Sequence, residues 1–562
     1  MRRLLCQFVV ILLTVLCGVA QAESLHETID QLIEQKAAKV KLAAPSNDAE
    51  FLRRVYLDLA GRIPTVSEAR AFLADKSKNK REQLIDRLLQ SSDYPRRMQE
   101  LFHVMFMERR GDNDEWAKFL RSAFEKNLPW HQLASAILSP NPENEETRGA
   151  AFFLTQRLVK EGAMAPVDVP GLTRDIGRLF AGVDLQCAQC HDHLTIDNYK
   201  QADFQGLHMI FENIQIRRDV KFPAVSEKLM KAKKEYSSVF EQVPETTGPR
   251  IPGGKEIAIP QFEKGEEYAV APDRKKRTPG VPKFSPLREL ANGLASTENA
   301  LFTKNIVNRL WFMMMGRGLV EPLDLLHVDN PATHPKLLDL LSSEFSKHKF
   351  DMRWLLKELA LTKAYQRTSV IDSEAGPPKE SYAVALEKRF SAEQLFWSLG
   401  VATGQFEAER LRRRNELKTS EDKDAAEKLK KLESESLEEL VAASDDLQTF
   451  FTEVRKTFGN GPKEPEVDFT PTVKGALFLM HDDRIQQLIA RTPGNLLDRL
   501  KNIQSPQQQV EELFLAIYSR TPTTDEQDQC MAYLKKNADR VDGASSNLMW
   551  ALLTSTEFVV NH

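Results

Sequence analysis

The sequence predicts a mainly α-helical protein: two helical domains joined by a Pro/Gly-rich, partly extended linker. Three observations carry this. Apolar residues recur at intervals of three and four through most of the chain. Capping signatures precede several of these runs, as in Thr65-Val66-Ser67-Glu68 and Ser391-Ala392-Glu393-Gln394. The one long stretch that lacks the helical period, residues 220–284, is rich in proline and glycine.

At the N-terminus, Arg2 and Arg3 precede an apolar run from Leu4 to Val19, and Ala20-Gln21-Ala22 supplies small residues before Glu23. This reads as a secretory signal peptide over residues 1–22. No later stretch approaches the roughly 18 apolar residues of a membrane span. The mature protein is therefore expected to be periplasmic or extracellular, with no transmembrane segment after signal cleavage. Cys6 and Cys17 leave with the signal, and Cys187, Cys190 and Cys530 are too few for a disulfide-built scaffold. Loss of Arg2 and Arg3 takes Lys+Arg from 77 to 75 against 81 Asp+Glu, a formal charge of −6 that offers nucleic acid no footing.

From Leu25 to about Tyr94 the pattern predicts a short helical bundle, with Leu84, Ile85, Leu88 and Leu89 on one side of a single helix. Leu101, Phe102, Met105, Phe106, Trp116, Phe119 and Phe124 read as helix core, with a haem-pocket wall as the alternative. Leu172 to Val183 reads as a helix that delivers the chain to Cys187. Beyond Val220 a charged helical piece around Lys228 to Phe240 gives way to Gly248-Pro249-Arg250-Ile251-Pro252-Gly253-Gly254. No Lys-Ser/Thr follows that glycine pair, so no phosphate loop is implied. The second helical domain covers residues 285–562. It opens with a strongly helical stretch from Leu287 to Trp311, and Met313-Met314-Met315 reads as core at a helix end. Residues 405–445, dense in both signs of charge, read as an insert that is either a solvated, charge-laced helix pair or partly disordered.

The chemistry sits in Cys187-Ala188-Gln189-Cys190-His191. Covalent haem attachment needs two thiols three residues apart to add to the porphyrin vinyl groups, and a following imidazole to ligate the iron. With five Cys and 11 His in 562 residues, this pattern arises by chance about 0.001 times per chain. One haem c, held by Cys187 and Cys190 with His191 as proximal ligand, is the first reading. Half of a zinc site completed by His193, Asp192 or Asp197 stays open, although neighbours Cys190 and His191 bind one ion awkwardly. A redox dithiol or structural disulfide stays open as well. For the distal iron position Met209 is the named candidate, with His208, Met164, His103 and Met105 behind it and an open position equally compatible. His193 lies two residues from the proximal ligand, hence on the same side of the ring, and is expected to support the site through a hydrogen bond.

Several of these stretches resemble a known family. Phe51-Leu52-Arg53-Arg54-Val55-Tyr56-Leu57-Asp58-Leu59, the segment Leu185 to His193 and Phe204 onward are similar to the planctomycete cytochrome-C-like domain, domain-of-unknown-function family 1549. Asn308-Arg309-Leu310-Trp311, Gly316-Arg317-Gly318-Leu319-Val320, His334-Pro335, and Trp550-Ala551-Leu552-Leu553 through Glu557-Phe558 resemble its usual companion, family 1553. The resemblance implies a cytochrome-C-like domain over residues 23–219, a C-terminal domain over 285–562, and an exported, haem-bearing protein of bacteria that often add cytochrome or carbohydrate-binding modules. Two departures stand out: Leu194 where the family usually has proline, and no large β-sandwich insert between the halves. The second leaves polysaccharide association without support in the sequence.

The expected function is periplasmic electron transfer or another redox role, with redox partner proteins. The alternative is a non-redox scaffold or binding protein in which the CxxCH segment is a disulfide or metal staple. No local Ser-His-Asp pattern, HExxH or paired-carboxylate motif suggests hydrolysis, although catalytic groups can converge from distant positions, and turnover at an open haem is compatible with the sequence.

Overall fold

The computed structural model describes residues 24–160, 166–371, 376–421, 423–465 and 472–562. The expected signal peptide and Met164 lie outside the described residues. The protein is mainly α-helical, and the strands among the described residues form two-stranded antiparallel sheets. No helix among the described residues is long and apolar enough to cross a membrane.

Local signals place many helices where the sequence predicts them. Thr65 opens Val66–Ala74 through a capping box: the Glu68 amide donates to Thr65 Oγ1 at 3.3 Å, and the Thr65 amide donates to Glu68 Oε2 at 2.7 Å. Ser391 and Thr523 open Ala392–Thr403 and Thr524–Lys536 in the same way. On Lys80–Gln90 the buried residues are Leu84, Ile85, Leu88 and Leu89. Met313, Met314 and Met315 are buried at the end of Ala300–Met315, which Gly316 terminates in the left-handed region at φ +78°.

Beyond residue 220, two expected helices take another form. Leu287 to Trp311 is divided into Pro286–Leu294 and Ala300–Met315, because Asn299 recaps the chain by accepting from the Phe302 amide at 3.1 Å. The piece around Lys228 to Phe240 is not helical: Lys234–Ser237 pairs antiparallel with Pro244–Thr247. Across that pair Tyr236 Oη donates to Glu245 Oε2 at 2.7 Å, a contact between strands that a local charge pattern does not announce. Ile214–Ile216 pairs with Val225–Glu227 and Tyr268–Val270 with Val281–Pro282. Residues 405–445 carry three helices, Gln405–Thr419, Ala425–Ser434 and Leu437–Ala442.

The apolar packing parts near residues 383–389, not across 220–284. One core runs from Ile29 to Tyr382 and takes in Leu515, and a second runs from Phe390 to Phe558 and takes in Leu57 and Ile63. The buried apolar residues from Leu287 to Tyr382 therefore pack with those from Ile29 to Val225. Ala300–Met315 explains this, since Asn305 Nδ2 donates to the Leu179 carbonyl at 2.7 Å and the Arg309 guanidinium donates to the Arg178 carbonyl at 3.1 Å.

Asp48–Leu59 ties the two cores together. Buried Arg53 donates to the carbonyls of Ile517 at 3.0 Å, Glu557 at 3.2 Å and Phe558 at 2.7 Å. Arg54 donates to those of Tyr365 at 2.6 Å and Arg367 at 2.8 Å. The paired arginines thus satisfy carbonyls from both halves that burial would otherwise leave unpaired.

Candidate functional site

The chain approaches Cys187 through Val169–Ile176 and then a π-helical turn, Gly177–Ala181, in place of one α-helix to Val183. The turn ends at Gly182, φ +67°, where a Cβ would lie 2.6 Å from Leu326 Cδ1 and 3.0 Å from Asn305 Oδ1. Glycine is required there by backbone and by space. Asp175 anchors the approach, accepting from Arg157 at 2.7 Å, Arg110 at 3.1 Å and Arg178 at 3.0 Å. Burial opposes its charge, but Arg157, Arg178 and Arg110 together hold the carboxyl down at about 2.

Cys187–Gln189 is a single 3₁₀ turn with Cys190 at its end. Residues three apart in such a turn eclipse, so both thiols stand on the same side. Both cysteines are exposed and are not joined to each other, while Ala188 between them is buried. The turn is clamped from several directions. Gln189 accepts from Arg174 through its side chain at 2.7 Å and from Gln205 through its carbonyl at 2.9 Å. The Cys190 carbonyl accepts from the Val239 amide at 3.1 Å, and Asp192 Oδ1 accepts from the Gln201 amide at 2.8 Å. The helix Gln201–Glu212 and the tip of the 234–247 hairpin therefore fix the segment.

The two imidazoles are held in opposite tautomers. His191 Nδ1 lies 2.6 Å from the Asp192 carbonyl. A carbonyl only accepts, so Nδ1 carries the proton and the Nε2 lone pair is left available. His193 Nδ1 accepts from the amides of Ile196 at 3.0 Å and Thr195 at 3.3 Å, so in the neutral ring its proton is on Nε2. His193 shapes the loop that returns at Tyr199, whose carbonyl accepts from the His193 amide at 2.9 Å.

Met209 is buried on Gln201–Glu212. His208, also buried, stacks on Phe204 and accepts from Lys234 Nζ at 2.8 Å; burial and then Lys234 push its pKa down. His103 accepts from the Trp116 indole at 3.1 Å, and Met105 lines a separate cavity. Among the described residues no three His, Cys, Asp or Glu side chains are grouped to hold a metal ion, so Asp192, His193 and Asp197 do not complete a zinc site with the thiols.

Sequence reasoning missed the hairpin tip. The Phe240 ring lies 4.7 Å from that of His191, and Val239, Phe240 and Val243 are all exposed. Leu194, three residues beyond His191, is exposed too. The available signal was an apolar trio, Val239, Phe240 and Val243, in an otherwise polar stretch.

These features define a helical protein built around a turn that presents two thiols and one imidazole beside exposed apolar side chains. Residues 28–216 match the PSCyt2 family model, a protein of unknown function (DUF1549), and residues 288–534 match PSD1, a protein of unknown function (DUF1553). The chain belongs to these families, in the order of the planctomycete cytochrome-C-like architecture. The PSD1 match spans the parting of the two cores near residues 383–389. No curated protein matches, and no solved structure matches.

Proposed function

We propose that the chain is an exported c-type haem protein, with one haem at Cys187, Cys190 and His191, that passes electrons to redox partner proteins in the periplasm. The observation that carries this reading is the tautomer of His191, set beside two exposed and unjoined thiols. A proximal histidine must offer Nε2 while its other nitrogen is hydrogen bonded, which fixes the ring and makes the ligand more basic. The Asp192 carbonyl does this for His191. His193 lacks the free lone pair, so its part is to hold the loop.

In this reading the Cys187 and Cys190 sulfurs carry the thioether links and His191 Nε2 takes the iron. Bound there, haem c supplies a one-electron iron couple whose potential follows burial and axial ligation. The protein's own residues orient the imidazole through Asp192 and buttress it with Phe240. Val239, Phe240, Val243 and Leu194 offer apolar surface that is otherwise left in water, suited to a flat apolar ring. The donor set and its surroundings therefore fit the group.

The eclipsed thiols also suit a local disulfide, the non-redox staple. An optical spectrum of the reduced protein, made in a host competent in haem attachment, separates the two readings. Sharp haem absorption supports the first. A colourless product in which the two thiols have formed a disulfide supports the second and removes the first.

A further inference from the structure

A cavity lined by no part of the CxxCH turn lies elsewhere in the fold. It encloses about 360 Å³ between the two cores, beneath the pairing of Lys388–Arg389 with Val560–Asn561. Leu101, Phe102, Leu179, Ile306, Phe312 and Leu323 supply apolar wall. Most of the charged groups on that wall are already paired. Lys388 binds Asp58, Arg178 binds Glu108, Arg309 binds Asp324, and Glu393 binds Arg109.

Arg97 is different. It is only 6% exposed, it lines the cavity, and its buried Nε has no hydrogen-bond partner among the described residues. The carboxylates of Glu100, Asp58 and Glu393 act on it electrostatically, but each is hydrogen bonded by other donors. Gly61, at φ +68°, makes room for this side chain: a Cβ there would lie 2.7 Å from Arg97 Cδ. A guanidinium nitrogen taken out of water without a partner is costly, and the cost is offset when an anion docks against it.

We infer that this cavity binds a small organic carboxylate with an apolar body, its carboxylate on Arg97 and its body along the Leu101, Phe102 and Ile306 wall. The apolar lining distinguishes this ligand from a bare inorganic anion, and the guanidinium with its unpartnered Nε distinguishes it from a neutral hydrocarbon. The inference stands apart from the haem proposal, since it uses none of the same residues.

The test uses the full chain with octanoate as probe, octanol as its uncharged analogue and inorganic phosphate as the compact anion. Octanoate should raise the melting temperature in a concentration-dependent way and give a saturable calorimetric isotherm, while octanol and phosphate do neither. Arg97→Met should weaken octanoate roughly 10- to 100-fold, the scale of a lost charge-assisted hydrogen bond. Without ligand this variant should be at least as stable as the parent, because no protein partner is left unpaired. Arg97→Lys should retain binding within a few-fold. Absence of an octanoate effect on the parent overturns the inference, and so does equal stabilisation by octanol or phosphate. Unchanged octanoate affinity in folded Arg97→Met overturns the assigned contact. If that variant does not fold, the three-probe comparison on the parent still decides.

Discussion

Replacing Asp58 by asparagine should loosen the joint between the two cores. Both Asp58 oxygens accept from Lys388 Nζ, at 2.7 and 2.8 Å; Oδ2 also accepts from Tyr365 Oη at 2.8 Å, and Oδ1 from Asn561 Nδ2 at 2.9 Å. Every partner is a donor. An amide at position 58 turns one acceptor into a donor and confronts N–H with N–H or O–H at that side. Lys388 would keep the carbonyls of Met313 at 3.0 Å and Met314 at 2.8 Å but lose its counter-charge. Breaking a buried ion pair in this way costs about 3–5 kcal/mol. Urea unfolding followed by tryptophan fluorescence measures it as a fall in the midpoint. Adding Lys388→Met should recover about 1 kcal/mol or more, since the stranded charge is then gone. A loss below about 1 kcal/mol for Asp58→Asn, against the 3–5 expected of a broken buried pair, would refute the assignment of Asp58 as the joint.

Further expectations concern the approach to the candidate site. Asp175 has a folded pKa of about 2, below the ordinary carboxylate value, so its contribution is present above that ordinary value and lost as pH falls from roughly 5 toward 2. It amounts to about 2 kcal/mol, and an acid titration of Asp175→Asn should show a correspondingly shallower loss of stability. At Gly149 a Cβ would stand 2.0 Å from the Glu115 carbonyl oxygen, so Gly149→Ala should cost about 1–3 kcal/mol or more in thermal unfolding. His193→Ala should strand the Thr195 and Ile196 amides, lowering their protection in hydrogen exchange by about 1–2 kcal/mol, while leaving any covalent colour in place.

Helix type was readable wherever the signal is local. Thr65, Ser391 and Thr523 cap as their sequence neighbours imply, because a capping box needs only residues three apart. What the sequence withheld depends on partners distant in the chain. Lys234–Ser237 becomes a strand because Pro244–Thr247 pairs with it, and the buried apolar residues from Leu287 to Tyr382 join the first core because Asn305 and Arg309 reach the turn at Gly177–Ala181. Periodicity marks an apolar face without naming what covers it. At the site, spacing singled out Cys187, Cys190 and His191, but neither the tautomer of His191 nor the presence of Phe240 beside it has a sequence signature. Both arise where the Asp192 carbonyl and the hairpin tip are folded onto the turn.

The most direct test of the central claim is a haem stain of the denatured, full-length protein from a host competent in covalent attachment, run beside the Cys187→Ser/Cys190→Ser double variant and His191→Ala. The account predicts stain on the parent that survives denaturation, none on the double variant, and an altered reduced spectrum for His191→Ala. A parent that stays unstained while both thiols remain free and reactive would contradict it.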